Sequence, residues 1–207
     1  IIILGPPGSG KGTQAKILAE KLGYFYFGMG DLMREEAKKN TTLGQKFQAV
    51  WDQGEGQLVR EEDTQELFLK TIQSLKENQG IVFDGYPRSR VQAEHLKESI
   101  GEDEMIVLNI EVSDQSLIER IGKRRICGRC GQIFLDPSLK ECHLCRGKLI
   151  QRQEDSPEVV QKRLQVYNDE TRPLIEYFQK KGKLIEIDGE PQIEKVAVEI
   201  LKALDGN

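Results

Sequence analysis

The residues most able to do chemistry open the chain. The segment GPPGSGKGT, residues 5–13, follows an apolar run and precedes a stretch of helical period. Glycines there let the backbone curl until successive N–H groups point inward, and a helix beginning near Lys11 adds the positive end of its dipole to the same spot. Phosphate oxygens fit such a nest. The backbone of Gly8, Ser9, Gly10, Lys11, Gly12 and Thr13 would cradle them, and the Lys11 ammonium would reach the β- and γ-phosphates of a nucleoside triphosphate. A glycine-rich turn without a ligand is the alternative, but the spacing of Gly5, Gly10 and Lys11 and the strand-then-helix context favour the nest. Gly12 stands where the general pattern has serine or threonine, and the hydroxyl arrives one residue later, at Thr13. Magnesium must then be held by phosphates, water and a carboxylate. Asp84, which ends the apolar run 81–83, is the candidate, because strand ends in such sheets converge on the phosphate crevice. An ordinary strand-ending cap is its other reading.

A second constellation is metal-binding. All four cysteines fall between 127 and 145, as CGRC and CHLC, a spacing of metal ligands rather than of a scattered disulfide framework. Residues 126–150 carry few large apolar side chains, so the segment should not hold a shape unaided, and a bound ion would supply the missing stability. Cys127, Cys130, Cys142 and Cys145 make a tetrahedral thiolate site with no open position, which reads as structural; zinc is the expected occupant, with iron or cobalt possible on the same ligands. Free thiols or disulfides are the alternative. His143 lies inside the second pair, where four cysteines already suffice.

These groups need a scaffold. Apolar runs at 1–4, 24–27, 81–84, 105–110 and 183–187 alternate with longer helical segments such as 11–22 and 61–76, the pattern of a parallel sheet covered by helices on both faces. Ser156 followed by Pro157 reads as an N-cap and first helical residue. Stretches at about 28–58 and 120–155 break the alternation and look like insertions. A chain of 207 residues buries one substantial core with small modules attached. Charged residues are 31% of the chain, the mean hydropathy is -0.50, and no apolar run is long enough to cross a bilayer as a helix. The N-terminal IIILG has no basic segment or cleavage site of a secretory leader. A net charge of -4 argues against broad electrostatic binding of nucleic acid. Thiolates in metal-binding pairs suit a reducing cytoplasm.

Five motifs in order resemble the adenylate kinases: GPPGSGKGT; GDLMR at 30–34; DGYPR at 84–88 with Gln92 four residues on; RIGKRR at 120–125; and RQEDSPEVVQKR at 152–163. The four cysteines resemble those of the long, zinc-containing members, although the spacer 131–141 is shorter than theirs. The resemblance implies an α/β P-loop fold of three layers with a five-stranded parallel sheet. The core would span 1–27, 59–119 and 156–207, a helical monophosphate-binding insertion 28–58, and a zinc-binding lid 120–155. It implies phosphoryl transfer from ATP to AMP with magnesium; the low count of inserted loops and the charged surface fit a monomer. Residue by residue, Lys11 and the 8–13 backbone would hold ATP phosphates; Arg34 and Arg88 would grip the phosphate of AMP. Arg120, Arg124, Arg152 and Arg163 would converge on the transferring group, with Asp84 supporting magnesium. Arg120 and Arg124 would also count among the ATP contacts, and Arg152 and Arg163 among those of AMP. Met29, Val59, Gly85 and Gln92 match the rest of the AMP site, Val59 and Gln92 facing adenine.

The need for so many arginines follows without the family. ATP and a monophosphate bring about six negative charges together, and phosphoryl transfer asks a protein mainly for positioning and charge stabilisation. Planar guanidinium forks suit that task; Arg60, Arg90 and Arg146 are expected to be ordinary surface residues instead. Met29 departs from the family, most of whose members have a threonine there near the adenine of AMP, and a thioether donates no hydrogen bond. Base choice would then rest on Gln92 and backbone groups. A kinase for another nucleoside monophosphate, and a nucleotide-binding sensor that has lost turnover, are therefore the alternatives. A zinc ribbon recruiting nucleic acid is a weaker one, disfavoured by the acidic balance.

Overall fold

The computed structural model describes residues 1–52, 59–102 and 104–206, with Gln153 described by its backbone alone. In chain order the elements are β1 (Ile2–Leu4), α1 (Lys11–Leu22), β2 (Phe25–Gly28), α2 (Met29–Lys38), α3 (Thr42–Asp52), α4 (Glu61–Ile72), β3 (Ile81–Asp84), α5 (Arg90–Ile100), β4 (Val107–Glu111) and α6 (Asp114–Lys123). Then follow β5 (Arg125–Cys127), β6 (Ile133–Phe134), β7 (Leu149–Ile150), a 3-10 turn (Gln153–Asp155), α7 (Pro157–Val166), a π turn (Tyr167–Thr171), α8 (Pro173–Lys180), β8 (Leu184–Asp188) and α9 (Ile193–Asp205).

The main sheet has the order β2-β3-β1-β4-β8, parallel throughout. Parallel pairing demands crossover helices, and those helices cover both faces. One face buries Ile2, Leu4, Phe27, Phe83 and Val107 beneath residues of α2, α4, α5 and α8; the other buries Ile3, Val82, Leu108 and Ile110 against α1 and α9. Alternate residues of β1 thus feed opposite layers, and the three-layer α/β fold read from the sequence is present.

Boundaries moved for a backbone reason. The strands expected at 24–27, 105–110 and 183–187 lie at Phe25–Gly28, Val107–Glu111 and Leu184–Asp188, because the ladder continues past the apolar side chains: Gly28 pairs with Asp84, and Glu111 with Asp188. The helix expected to reach 76 ends at Ile72; Ser74 and Leu75 donate to Thr71 and Ile72, the i to i-3 pattern that tightens a helix end. Ser156 caps α7 by its extended backbone, ahead of Pro157, but its side chain makes no capping bond.

Where the helical insertion is expected stand α2 and α3, tied to α4 by ion pairs. Glu36 accepts from Thr41 at 2.8 Å, Lys70 of α4 at 3.1 Å and Lys39 at 3.3 Å, and Lys46 reaches Asp63 at 2.7 Å. The end of the stretch expected at 28–58 lies outside the described residues from 53 onward. The cysteine segment forms an antiparallel sheet of order β6-β5-β7, and α6 runs on to Lys123 before it begins.

Candidate functional site

The nest expected from the sequence falls on the connection from β1 to α1. Gly8 takes φ +91, and a Cβ there would meet the Ile121 side chain at 2.8 Å and the Leu117 carbonyl at 3.1 Å, so α6 crosses the loop too closely for any other residue. The amides of Gly8, Gly10, Lys11 and Gly12 have no acceptor among the described residues, as befits a first helical turn. Gly12 is explained by its neighbour. A Cβ there would lie 2.8 Å from Oδ2 of Asp84, so this carboxylate fills the space of the side chain that the general pattern places after the lysine. Asp84 in turn receives Tyr26 Oη at 3.0 Å, and the same phenol lies 3.2 Å from Asp31. Burial raises the phenol's pKa, helped by both carboxylates, so Tyr26 stays a donor. Lys11 donates to the Pro6 carbonyl at 3.2 Å. Burial lowers its pKa to about 7; Asp84 opposes that shift, and Arg88, Arg163 and Arg124 add to it.

Those neighbours outline a single cationic cleft. Arg163 is lowered to about 10 by burial and by Arg88 and Arg124, with Glu154 and Asp155 opposing. Burial lowers Arg88 as well, with Arg34 adding, and Arg152 feels burial, Arg34 and Arg124. Lys11, Arg34, Arg88, Arg124, Arg152 and Arg163 therefore sense one another across segments far apart in sequence. Four carboxylates hold them. Arg124 forks onto Asp155, with Nε at 2.8 Å, and Asp155 lies 3.5 Å from Arg163. Glu154 stands 3.6 Å from Arg34 and 3.9 Å from Arg152, and Arg34 binds Asp31 at 2.6 Å. Burial works to raise Asp31, but Arg34 and Lys16 overcome it and hold the carboxyl at about 2. Five guanidinium groups, joined by Lys11 when it is protonated, stand against Asp31, Asp84, Glu154 and Asp155, an excess of positive charge in a partly buried cleft that favours a multiply charged anion.

Arg120 is placed differently. It donates to the Glu190 carbonyl at 3.1 Å and lies 3.7 Å from that residue's carboxylate, so none of its described contacts joins it to the cluster. Arg60 is exposed and pairs with Asp63, and Arg90 lies over the Tyr177 ring, as surface residues do.

The cysteines converge as their spacing implies. Their four sulfurs lie within 4.8 Å of one another, with Cys127 and Cys145 at 3.4 Å and Cys130 and Cys142 at 3.7 Å. A tetrahedron of thiolates about a zinc ion, at ~2.3 Å per bond, has edges of about 3.8 Å, so the donor set fits. The amides of Arg129 and Cys130 point at Cys127 Sγ from 3.4 and 3.5 Å. These bonds, that of Cys130 foremost, lower the Cys127 thiol, while the crowded sulfurs raise that of Cys145, so one proton is shared among neighbouring thiols until a cation displaces it.

The profile of the family described as Adenylate kinase matches residues 3–183. This chain belongs to the adenylate kinase family. It is 42% identical over 212 residues to the Adenylate kinase of Caldicellulosiruptor saccharolyticus and 38% identical over 212 residues to that of Thermosipho melanesiensis; each alignment covers 99% of this chain and 98% of the relative. To that of Methanocella arvoryzae it is 39% identical over 211 residues, covering 98% and 97%. The chain is accordingly a nucleotide kinase.

Of the residues expected to contact the monophosphate in this adenylate kinase, Met29 and Val59 are buried in the same apolar cluster. Gly85 takes φ +72 and its carbonyl accepts from Arg88 Nε at 2.9 Å. The backbone carbonyl of Arg88 accepts from Thr171 Oγ1 at 2.8 Å, which ties the π turn to the arginine loop. Gln92 is buried, and its Oε1 receives the Arg88 amide at 2.8 Å. Sequence reading missed Tyr26, Asp31, Glu154, Asp155 and Thr171. The acidic pair inside RQED carried a usable signal, since a cleft of unpaired guanidinium groups is unstable without counter-charge.

Proposed function

We propose that the chain catalyses reversible transfer of the γ-phosphoryl group of ATP to AMP, giving two ADP. The observation that carries this reading is the convergence of Lys11, Arg34, Arg88, Arg124, Arg152 and Arg163 on one cleft floored by the phosphate nest and Asp84. The nest amides and Lys11 would hold the triphosphate, and Arg34 and Arg88 the phosphate of AMP. Arg124, Arg152 and Arg163 would spread over the equatorial oxygens as an AMP phosphate oxygen attacks the γ-phosphorus and the bridging oxygen leaves with ADP. No general base is required, because the attacking oxygen is already anionic near neutral pH. Bound magnesium would neutralise phosphate charge, and Asp84 is the carboxylate placed to support it. Arg120, on the last turn of α6 beside Glu190, would line the rim on the ATP side.

Residues 120–155 would close as a lid, and 28–58 as the monophosphate insertion, expelling water that could otherwise accept the phosphoryl group. Zinc on the four cysteines would stiffen the lid. The reading includes a monomer working in the reducing cytoplasm; among the described residues no helix is long and apolar enough to cross a membrane. Met29 keeps a second reading open, a kinase for another nucleoside monophosphate. Incubating the protein with ATP and each of AMP, GMP, CMP and UMP separates them: diphosphate should form fastest from AMP, and ATP alone should be hydrolysed far more slowly. Preference for a pyrimidine, or hydrolysis as fast as transfer, contradicts the proposal.

The Lys11 pKa makes a pH-dependent expectation. Held near 7 against 10.5 in the unfolded chain, the amine is protonated in both states only below about pH 7. Between those values the unfolded chain binds more protons, so this group's contribution to stability grows as pH rises through the window. Phosphates favour the ammonium, so the Lys11 amine should take up a proton from solvent when ATP binds at pH 8. Calorimetry in buffers of different ionisation enthalpy reads that uptake, and Lys11→Met should erase it; equal uptake by both proteins contradicts the assignment.

A further inference from the structure

The Gln92 amide is held at both ends, and the two partners differ in kind. Its Oε1 accepts the backbone N–H of Arg88 at 2.8 Å, a group that can only donate. Its Nε2 lies 3.3 Å from Oγ1 of Thr64, on the facing helix α4. That hydroxyl has one proton, and it is committed to the Glu61 carbonyl at 2.9 Å, so toward Gln92 the oxygen can only accept. Gln92 and Thr64 are both buried, and the two helix starts are tied again by Ser89, whose hydroxyl reaches Glu61 Oε1. Reversing the amide would set N–H against N–H at Arg88, and at Thr64 would set oxygen against oxygen or cost the hydroxyl its bond to Glu61, so either way two hydrogen bonds are lost between buried groups.

We infer that Thr64 is a positioning residue for base selection: with the Arg88 amide it fixes the polarity of Gln92, so that the site takes a 6-aminopurine monophosphate and rejects a 6-oxopurine one. The inference rests on the reading above that Gln92 faces the base. Held this way, the amide keeps one lone pair on Oε1 and one N–H on Nε2 for a ligand. A 6-amino group donates to that lone pair, and a neighbouring ring nitrogen accepts from the N–H. A 6-oxo group presents an acceptor to Oε1, and its protonated ring nitrogen presents a donor to Nε2. A free amide would accommodate the second base by rotating half a turn; this one is prevented. Selectivity would thus survive the thioether at position 29, because a site built to pair polar groups rejects the analogue that leaves them unpaired.

The test compares AMP with IMP, which differs only in the 6-oxo group and the proton it places on the ring. In Thr64→Val, close in shape but without the hydroxyl, the AMP-over-IMP ratio of kcat/KM should fall about five-fold, the usual effect of one neutral hydrogen bond. The change should appear in the KM for the monophosphate, with the KM for ATP unmoved, and Thr64→Ser, which keeps the hydroxyl, should restore the ratio. A merely structural role would move both KM values or neither. Gln92→Leu is the control. If it lowers the ratio and Thr64→Val does not, the polarity lock is wrong while the base assignment stands. If neither changes the ratio, Gln92 does not read the base, and the inference falls with that assignment.

Discussion

Lys11→Ala should lower kcat for ADP formation by about a thousand-fold or more while leaving the fold intact. Removing a single preorganised donor from a site of developing charge costs about 100- to 1000-fold, and Lys11 is more than one donor. With phosphates bound it carries a full positive charge in a partly buried position, it faces Asp84, and it stands among Arg88, Arg124 and Arg163. The guanidinium groups cannot take its place: Arg124 is forked onto Asp155, and Arg88 is anchored to the Gly85 carbonyl. Stability should not suffer, because burial disfavours the ammonium and its one hydrogen bond among the described residues is to the Pro6 carbonyl. Thermal unfolding of the free variant at or above the parent temperature, together with the loss of turnover, checks both halves. Activity within ten-fold of the parent would remove Lys11 from the chemistry.

Stripping the metal should have the next largest effect. The cysteine module buries only Cys127, Cys142 and Leu149, with Phe134, Leu139 and Cys145 packed against them in part, too little to order it alone. Its three strands are two or three residues long. A chelator, or Cys142→Ser, should therefore release this module while the parallel sheet persists, because the large apolar clusters lie on the main sheet. Hydrogen exchange at 125–150 should rise to that of an unfolded segment, and transfer should drop at least about a hundred-fold as Arg124 and Arg152, on either side of the module, lose their placement. Zinc should restore both in the chelated protein. Unchanged exchange after chelation would show that the module stands without an ion.

Much of this was legible in the sequence, and the rest was not for identifiable reasons. The five strands, α1 and the phosphate nest announce themselves by local pattern: a short apolar run, glycines at fixed spacing, then helical period. The cysteine cluster follows from ligand spacing and the poverty of its apolar content. Arg120 shows the limit. Arg120 and Arg124 are four apart, and on one continuous helix they would share a face. Helix α6 stops at Lys123, however, and Arg124 takes an extended backbone at φ -62, ψ 130, so the two side chains part, one toward Glu190 and the other toward Asp155. A motif records residue types and cannot say where a helix ends within it. Gly12 was noticed as a departure, but its cause is a carboxylate seventy-two positions away, placed by the pairing of β1 with β3. The tie between Thr64 and Gln92 is likewise a product of packing between α4 and α5, with no periodic trace along the chain.

The central claim is that two nucleotides meet end to end in one cleft. A molecule of two adenosines joined through a chain of phosphates would occupy both sites at once. Titrated calorimetrically, it should bind one per protein chain, far more tightly than ATP or AMP, and prior saturation with either nucleotide should weaken it. Two molecules bound per chain, or competition by ATP and none by AMP, would mean that the sites are separate.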